Sequence, residues 1–198
     1  MNQIPNQKRK AAETRELIFE AAIRILIAGG LSSLTLAKVA SEAGLSKGGL
    51  LYHFPNKVAL INAIFENQNC VFETRLEELC AEEGHAPGAW LKAYARASVE
   101  QIVDPQTASL YASLFAAEEK YASAHALMRQ KYVDWQVQVE NCGLDPNWAT
   151  LIRLTVDGLW FSEMHQYGPP DLQRRDWMIK KIQELVDEQA ILSRSESQ

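Results

Sequence analysis

Cysteine is scarce in this chain of 198 residues: Cys70, Cys80 and Cys142 are the three, with no C-x-x-C spacing. On one continuous helix Cys70 and Cys80 would stand roughly 15 Å apart along the axis, too far to bridge. That reads as free thiols in a reducing cytoplasm and argues against a thiolate zinc site. No run of eighteen apolar residues and no charged-then-apolar leader occurs, so neither a membrane span nor secretion is expected. Alternating β-branched runs bounded by tight turns are missing, which argues against sheet. Enzymatic patterns are lacking as well. There is no phosphate-cradling glycine loop and no Ser-His-Asp or Cys-His arrangement with local support. A di-iron centre needs two Glu-x-x-His pairs and two further Glu. Only Glu82-Glu83-Gly84-His85 offers one pair, and Gly84 and Pro87 put it in a loop. No catalytic residue, metal or cofactor is expected.

What is present is helical. Segments rich in Ala, Leu, Glu, Gln and Lys carry apolar residues at helical spacing, and 47% hydrophobic content can bury a substantial core. The expected fold is all-α with about nine helices. Residues 1–13 read as a basic flexible arm. Thr14 caps a first helix to Ala28, with Leu17, Ile18, Ala21, Ala22, Ile25 and Leu26 as its buried stripe and Gly29-Gly30 as its stop. Two short helices follow near 36–43 and 46–53, and Asn56 caps a long fourth to about Leu79. The loop 82–88 is the expected seam between head and body, ahead of helices at 88–103, 107–120 and 123–141. Asp145-Pro146 starts helix eight, reaching about Tyr167, and Asp171 caps helix nine to about Gln189. This organisation gives a head over 14–60, a body over 61–192 and a frayed tail over 193–198.

Charge is split along the chain. Residues 1–60 hold Lys8, Arg9, Lys10, Arg15, Arg24, Lys38, Lys47 and Lys57 against Glu13, Glu16, Glu20 and Glu42, a net of +4. The whole chain carries −5, so the remainder carries −9. A basic head on an acidic body focuses attraction for phosphates at one end.

The stretch TLAKVASEAGLSKGGLLYHFPNK, residues 35–57, concentrates the chemistry. Thr35 caps one short helix, Gly44 supplies the left-handed turn, and Ser46 caps the next. Helix, glycine turn, helix is the local signature of a helix-turn-helix, whose second helix enters a major groove. Lys47 offers a cation to phosphate or guanine, and Gly48 and Gly49 let the backbone approach closely. Two glycines at a helix start cost up to about 1 kcal/mol each relative to Ala, so they need a reason. Leu50 and Phe54, four apart, are the anchors. Leu51 can only pack or touch a thymine methyl. Tyr52 and His53 either donate to phosphates or, for Tyr52, join the core and, for His53, sit on the surface. Lys57 adds a cation where the fourth helix's N-terminus already attracts anions.

The stretch AAIRILIAGGLSSLTLAKVASEAGLSKGGLLYHFPNKVAL closely resembles the N-terminal domain of TetR-type transcriptional regulators. The resemblance covers about residues 14–65 and implies a three-helix DNA-binding head, a helical body, homodimers on palindromic operators, and release by a small ligand. It implies phosphate contacts from Thr35, Tyr52, His53 and Lys57, and contacts in or near the groove from Lys47, Gly48 and Gly49. The full candidate DNA-binding set is Thr35, Lys38, Ser46, Lys47, Gly48, Gly49, Leu51, Tyr52, His53 and Lys57. Many relatives place Tyr where this chain has Leu51. Lys8-Arg9-Lys10 is either an arm for an adjacent minor groove or a solubilising tail.

In the body, a homodimer through helices eight and nine is expected. Leu151, Leu154, Gly158 and Phe161 follow one face of helix eight, and Ile179, Ile182, Leu185 and Val186 form a stripe on helix nine. Aromatic residues at helical spacing suggest an effector pocket or plain core: Trp90, Tyr94, Tyr111, Phe115, Tyr132, Trp135 and Phe161, joined by His165. Asp157, Glu163 and His165 are polar groups on a helix that ought to be mostly buried. The expected function is a ligand-responsive DNA-binding transcriptional regulator, a repressor working in the cytoplasm on double-stranded operator DNA. The alternatives are a protein-interaction adaptor that kept the head's shape, and a helical metalloenzyme.

Overall fold

A computed structural model describes the backbone of residues 4–118 and 121–195, and side chains over 9–116 and 121–193. Among these residues all regular structure is helical: α1 (Ile4–Ser33), α2 (Leu36–Glu42), α3 (Lys47–His53), α4 (Lys57–Glu83), α5 (Ala89–Val103), α6 (Pro105–Glu118), α7 (Ala122–Glu140), α8 (Pro146–His165) and α9 (Leu172–Ser195). The chain forms two compact units. One joins residues up to Asn67 with Ser109–His125, and the other joins Gln68–Ala108 with Ala126 onward.

The first helix corrects an expectation. It begins at Ile4, not Thr14, because no Gly or Pro interrupts residues 6–28 and Pro5 sits in the first turn, where its missing N–H costs nothing. Arg9 pairs with Glu13 one turn on, at 3.3 Å. The Thr14 hydroxyl donates back to the Lys10 carbonyl at 2.8 Å instead of capping. Arg9 and Lys10 are therefore exposed helix positions, while the side chain of Lys8 lies outside the described residues. Gly29-Gly30 does break the helix: Gly30 takes φ 65° and ψ −173°, and one further turn runs to Ser33.

Asp104-Pro105, read as an end, is also a beginning. Asp104 carboxylate oxygens accept from the backbone N–H groups of Thr107 at 2.9 Å and Gln106 at 3.3 Å, so α6 starts at Pro105. Asp145 does the same for α8, accepting from Asn147 and Trp148. Helix α8 stops at His165 because Gln166 turns left-handed (φ 55°) and Tyr167 N–H closes on the Ser162 carbonyl at 3.0 Å. Helix α9 runs beyond Gln189 to Ser195, since no Gly or Pro follows Asp171 and the Ser193 hydroxyl donates to the Gln189 carbonyl. Residues 196–198 of the expected tail lie outside the described residues.

In the second unit α5 is the central helix, packed on α8 and α9. Leu91, Tyr94, Ile152, Val156, Ile182 and Val186 are among its buried core. Of the α9 stripe expected to meet a partner chain, Ile182 (4% exposed) and Val186 (0%) are buried inside its own body, while Ile179 and Leu185 are half-buried. Salt bridges tie the helices at their edges, Lys92 to Asp187 at 2.5 Å and Arg75 to Glu100 at 2.7 Å.

Candidate functional site

The first unit is built around α1. Its Ile18, Ala22 and Leu26 are fully buried, as are Val39 of α2, Leu50 of α3 and Leu60 of α4, and α1 packs on α2 and α2 on α3. Each fully buried aliphatic side chain of this kind contributes roughly 1.5–3 kcal/mol. Phe54, just past α3, lies 5.7 Å from Phe19, and the Arg15 guanidinium stands 4.7 Å over its ring. Arg24 Nε donates to Glu42 at 2.9 Å, pinning α2 to α1. Leu50 and Phe54 are the anchors the spacing indicated. The contact of Arg15 with Phe54 joins residues thirty-nine positions apart and leaves no local pattern in the sequence.

On this scaffold the capping residues hold the turn. Thr35 Oγ1 accepts from Lys38 N–H at 3.2 Å, Ser46 Oγ from Gly49 N–H at 3.0 Å, and Asn56 Oδ1 from Ala59 N–H at 2.9 Å. Gly44 turns left-handed at φ 67°, and Leu45 N–H reaches the Ala40 carbonyl at 2.8 Å. Each capping hydroxyl accepts within the fold and keeps its own O–H to donate outward.

Lys38, Ser46, Lys47, Gly48 and Tyr52 are exposed, Tyr52 by 85% of its surface. The core alternative for Tyr52 is therefore set aside. Its ring meets the half-buried His53 edge-on at 5.3 Å. Leu51 is half-buried beside the fully buried Leu50. Neither Gly48 nor Gly49 has a positive φ. A Cβ added at Gly48 would find only Ser46 Oγ, 4.0 Å away, whereas at Gly49 the same oxygen would be 3.3 Å away. The protein itself makes no demand for glycine at 48.

Lys57 has a task the sequence did not suggest. Its ammonium donates to the Leu31 carbonyl at 3.0 Å, joining the start of α4 to the turn that follows the Gly30 break. That carbonyl also accepts the Leu34 N–H at 3.3 Å, and the ammonium adds a charge-assisted hydrogen bond to it. Lys57→Ala is expected to lower the melting temperature, by roughly 1.5–3 kcal/mol of stability. If Lys57 also touches phosphate, the salt dependence of DNA binding drops by about one unit of slope. Titrations at several salt concentrations separate the two roles, because a purely structural lysine leaves the slope unchanged.

The effector candidates divide into groups. Trp90 stacks on Tyr94 (5.2 Å, 13°), and Trp135 lies 5.7 Å from Tyr94 and 5.0 Å from Tyr132. Phe72 of α4, which the sequence reading missed, completes this group at 5.1 Å from Trp135. Phe161 and His165 form a second group with Tyr167, at 4.4 Å from each other and 5.9 and 5.5 Å from Tyr167. Tyr111, buried, and Phe115, half-buried, sit on the part of α6 that belongs to the first unit. Burial pushes the Tyr111 hydroxyl well above its ordinary range.

The polar residues of α8 find partners. The Tyr94 hydroxyl donates to Asp157 Oδ1 at 2.7 Å, and Arg153 donates to Oδ2 at 2.5 Å. Burial pushes the Asp157 carboxyl up, against the opposing pull of Tyr94 and Arg153. Burial, reinforced by the Asp157 charge, also raises Tyr94. Glu163 stands 3.9 Å from Arg175 of α9. A cleft of about 440 Å³ opens beside the aromatic group, lined by Glu73, Leu76, Glu77, Cys80, Trp90, Asp134, Trp135 and Gln138.

A capped helix-turn-helix on a three-helix core, followed by a helical body with an aromatic interior, is the build of a DNA-binding regulator. Residues 18–64 match the bacterial regulatory proteins of the tetR family, and residues 88–187 match the tetracyclin repressor-like C-terminal domain. The chain belongs to the TetR family. It is 40% identical over 60 residues to the HTH-type transcriptional regulator TtgR of Pseudomonas putida, covering 30% of this chain and 29% of that protein. It is 35% identical over 71 residues to AcrR of Shigella flexneri, covering 35% and 33%. These matches span a third or less of the curated relatives' length. Similarity of fold extends much further. A TetR transcription regulator from Haloarcula marismortui superposes with a TM-score of 0.74 at 16% identity, over 90% of this chain and 98% of that one. The multidrug binding protein EbrR, solved with malachite green, superposes at 0.60 and 22% identity, over 86% and 96%.

Proposed function

We propose that this protein is a ligand-responsive transcriptional repressor, which binds a palindromic operator as a homodimer and leaves it when a small molecule enters the body. The observation that carries the DNA-binding half is Gly48. A glycine at an exposed helix start, with ordinary φ and open space around it, costs stability with no conformational return. A surface that needs the backbone close to something else supplies the return, and the neighbouring exposed Lys47 and Tyr52 offer donors suited to DNA. Thr35, Lys38, Ser46, His53 and Lys57 complete the phosphate-facing set, and Leu51 packs at its edge.

Dimerisation is supported by α8. Leu151 (54%), Leu154 (53%) and Phe161 (49%) stay exposed on the face opposite its core residues, and nothing lies within 4 Å of a Cβ built at Gly158. On α9 the exposed large apolar residues are Leu172, Trp177, Ile191 and Leu192. An open apolar face of this kind calls for a covering surface, and a two-fold mate also supplies the second recognition helix. For the effector, the support is the aromatic group and its cleft, together with the drug-binding description of EbrR. Such a ligand alters operator affinity only by binding two states of the protein unequally. The place of action is the cytoplasm. No described helix is long and apolar enough to cross a membrane, and no described cluster of His, Cys, Asp and Glu could hold a metal.

The test is to select genomic DNA fragments with the purified protein and then repeat the binding with Gly48→Ala. The variant is expected to melt higher, by up to about 1 kcal/mol of stability, and to bind the selected fragment more weakly. A variant that is both more stable and equally tight would remove DNA as the reason for the glycine. If no fragment is retained in a salt-sensitive way, the adaptor reading takes its place.

A further inference from the structure

The outward side of α3 carries few groups that tell one base pair from another. Its seven residues, Lys47 to His53, include no Arg, Asn, Gln, Asp or Glu. The bidentate pairings of Arg with guanine and of Asn or Gln with adenine are therefore closed to it. Lys47 and Tyr52 are exposed, but an ammonium or a phenol hydroxyl donates to a phosphate as readily as to a base. His53 is half-buried and meets the Tyr52 ring edge-on at 5.3 Å.

Leu51 is the residue left on that side. Its neighbours Leu50 and Phe54 are 0% and 2% exposed, while Leu51 keeps part of its surface outside the core. A helical side chain leans back over the turn before it, so Leu51 lies over the ground of Lys47 and Gly48. Gly48 places no side chain there, and a Cβ built at 48 would meet only Ser46 Oγ, at 4.0 Å. The outward part of Leu51 thus borders a gap. An apolar wall beside a gap favours an apolar group, and in the major groove the group of that kind is the C5 methyl of thymine. Phosphate oxygens and the amino and carbonyl edges of the bases gain nothing from a leucine.

We propose that Leu51 determines specificity by reading the C5 methyl of a thymine in each half-site, and that Gly48 keeps open the space the methyl enters. The proposal rests on the DNA-binding reading and adds to it the base that is read and the contact that reads it.

Genomic fragments selected by the full-length protein supply the test. Amplifying a selected fragment with dUTP in place of dTTP removes every C5 methyl and leaves base pairing unchanged. The wild type is expected to bind the dU duplex about fourfold more weakly per methyl contacted, or about fifteenfold for a dimer on two half-sites. Leu51→Ala is expected to lose a similar factor on the dT duplex and to make no distinction between the two duplexes. Its salt slope should match the wild type's, because an apolar contact releases no counterions. Leu51→Met keeps the volume that packs on the head and should keep most of the preference for dT, which separates loss of reading from loss of fold. A wild type indifferent to dU, or a Leu51→Ala variant that binds the dT duplex undiminished, would overturn the assignment. So would a dU penalty that persists in Leu51→Ala, which is how a change of DNA shape on losing the methyls would show. A fragment held in a salt-sensitive way but equally well with dT and dU leaves DNA binding standing and removes Leu51 as its reader. If no fragment is held at all, the DNA-binding reading itself fails and takes this one with it.

Discussion

Gly88→Ala is expected to destabilise the second unit by about 2–5 kcal/mol, the sum of two separate costs. Gly88 caps α5 with φ 81° and donates its N–H to the Cys142 carbonyl at 2.8 Å. A side chain in that left-handed conformation costs roughly 1–2 kcal/mol. The new methyl would also lie 2.4 Å from Val186 Cγ1 and 3.1 Å from Leu144 Cδ1. Both partners are core residues, 0% and 6% exposed, with no room to withdraw. Overpacking of this kind costs a further ~1–3 kcal/mol. In thermal unfolding followed by circular dichroism the midpoint should fall by on the order of 10 °C. Gly84→Ala is the comparison, because Gly84 has φ 75° but nothing within 4 Å of its added Cβ. It should show the backbone cost alone. Equal losses at the two positions would mean that the Val186 contact contributes nothing.

Asp157→Ala should cost a similar amount, about 2–4 kcal/mol, for an electrostatic reason. Its carboxylate is shared by Arg153 and Tyr94, whose side chains are well covered: Tyr94 is 2% exposed, and the Arg153 side chain 12%. Removing the acid leaves a guanidinium and a hydroxyl without their acceptor in a low-dielectric setting, and buried charges stranded in this way cost roughly 3–5 kcal/mol. Partial exposure of the pair trims that figure. Arg153→Leu with Asp157→Leu removes both charges together and should recover most of the loss, because apolar replacements of a buried pair are often neutral. Urea unfolding of the wild type, Arg153→Leu, Asp157→Leu and the double variant closes the cycle. A double variant as unstable as the sum of the single ones would show that Arg153 and Asp157 do not depend on each other.

The helix-turn-helix was legible because its determinants are local. Thr35, Ser46 and Asn56 cap within three residues of themselves, and Gly44 sets its own φ. Leu50 and Phe54 declare a buried face by their spacing alone. The same locality explains the success with Asp145-Pro146, and at Asp104-Pro105 the end of α5 at Val103 was read correctly while the start of α6 was placed two residues late. One dipeptide both ends a helix and begins the next, and only the direction of the Asp104 hydrogen bonds reveals it.

Other features depend on partners distant in sequence. Lys57 looked like a surface cation, but its ammonium donates to the carbonyl of Leu31, twenty-six residues earlier, in the turn that follows the Gly30 break. Asp157 looked like a stray acid until Tyr94 and Arg153 converged on it. The apolar stripe of α9 was visible, but whether it faced inward or toward another chain was decided by α5, where Gly88 lets Val186 come close. Periodicity says that a face must be covered, and it does not say by what. Capping and turn chemistry act over a few residues, so composition and spacing were enough to establish the helices, the head and the family it resembles. Hydrogen bonds between distant elements, buried charges and packed faces are settled by whichever elements the chain brings together, and that is a property of the fold alone.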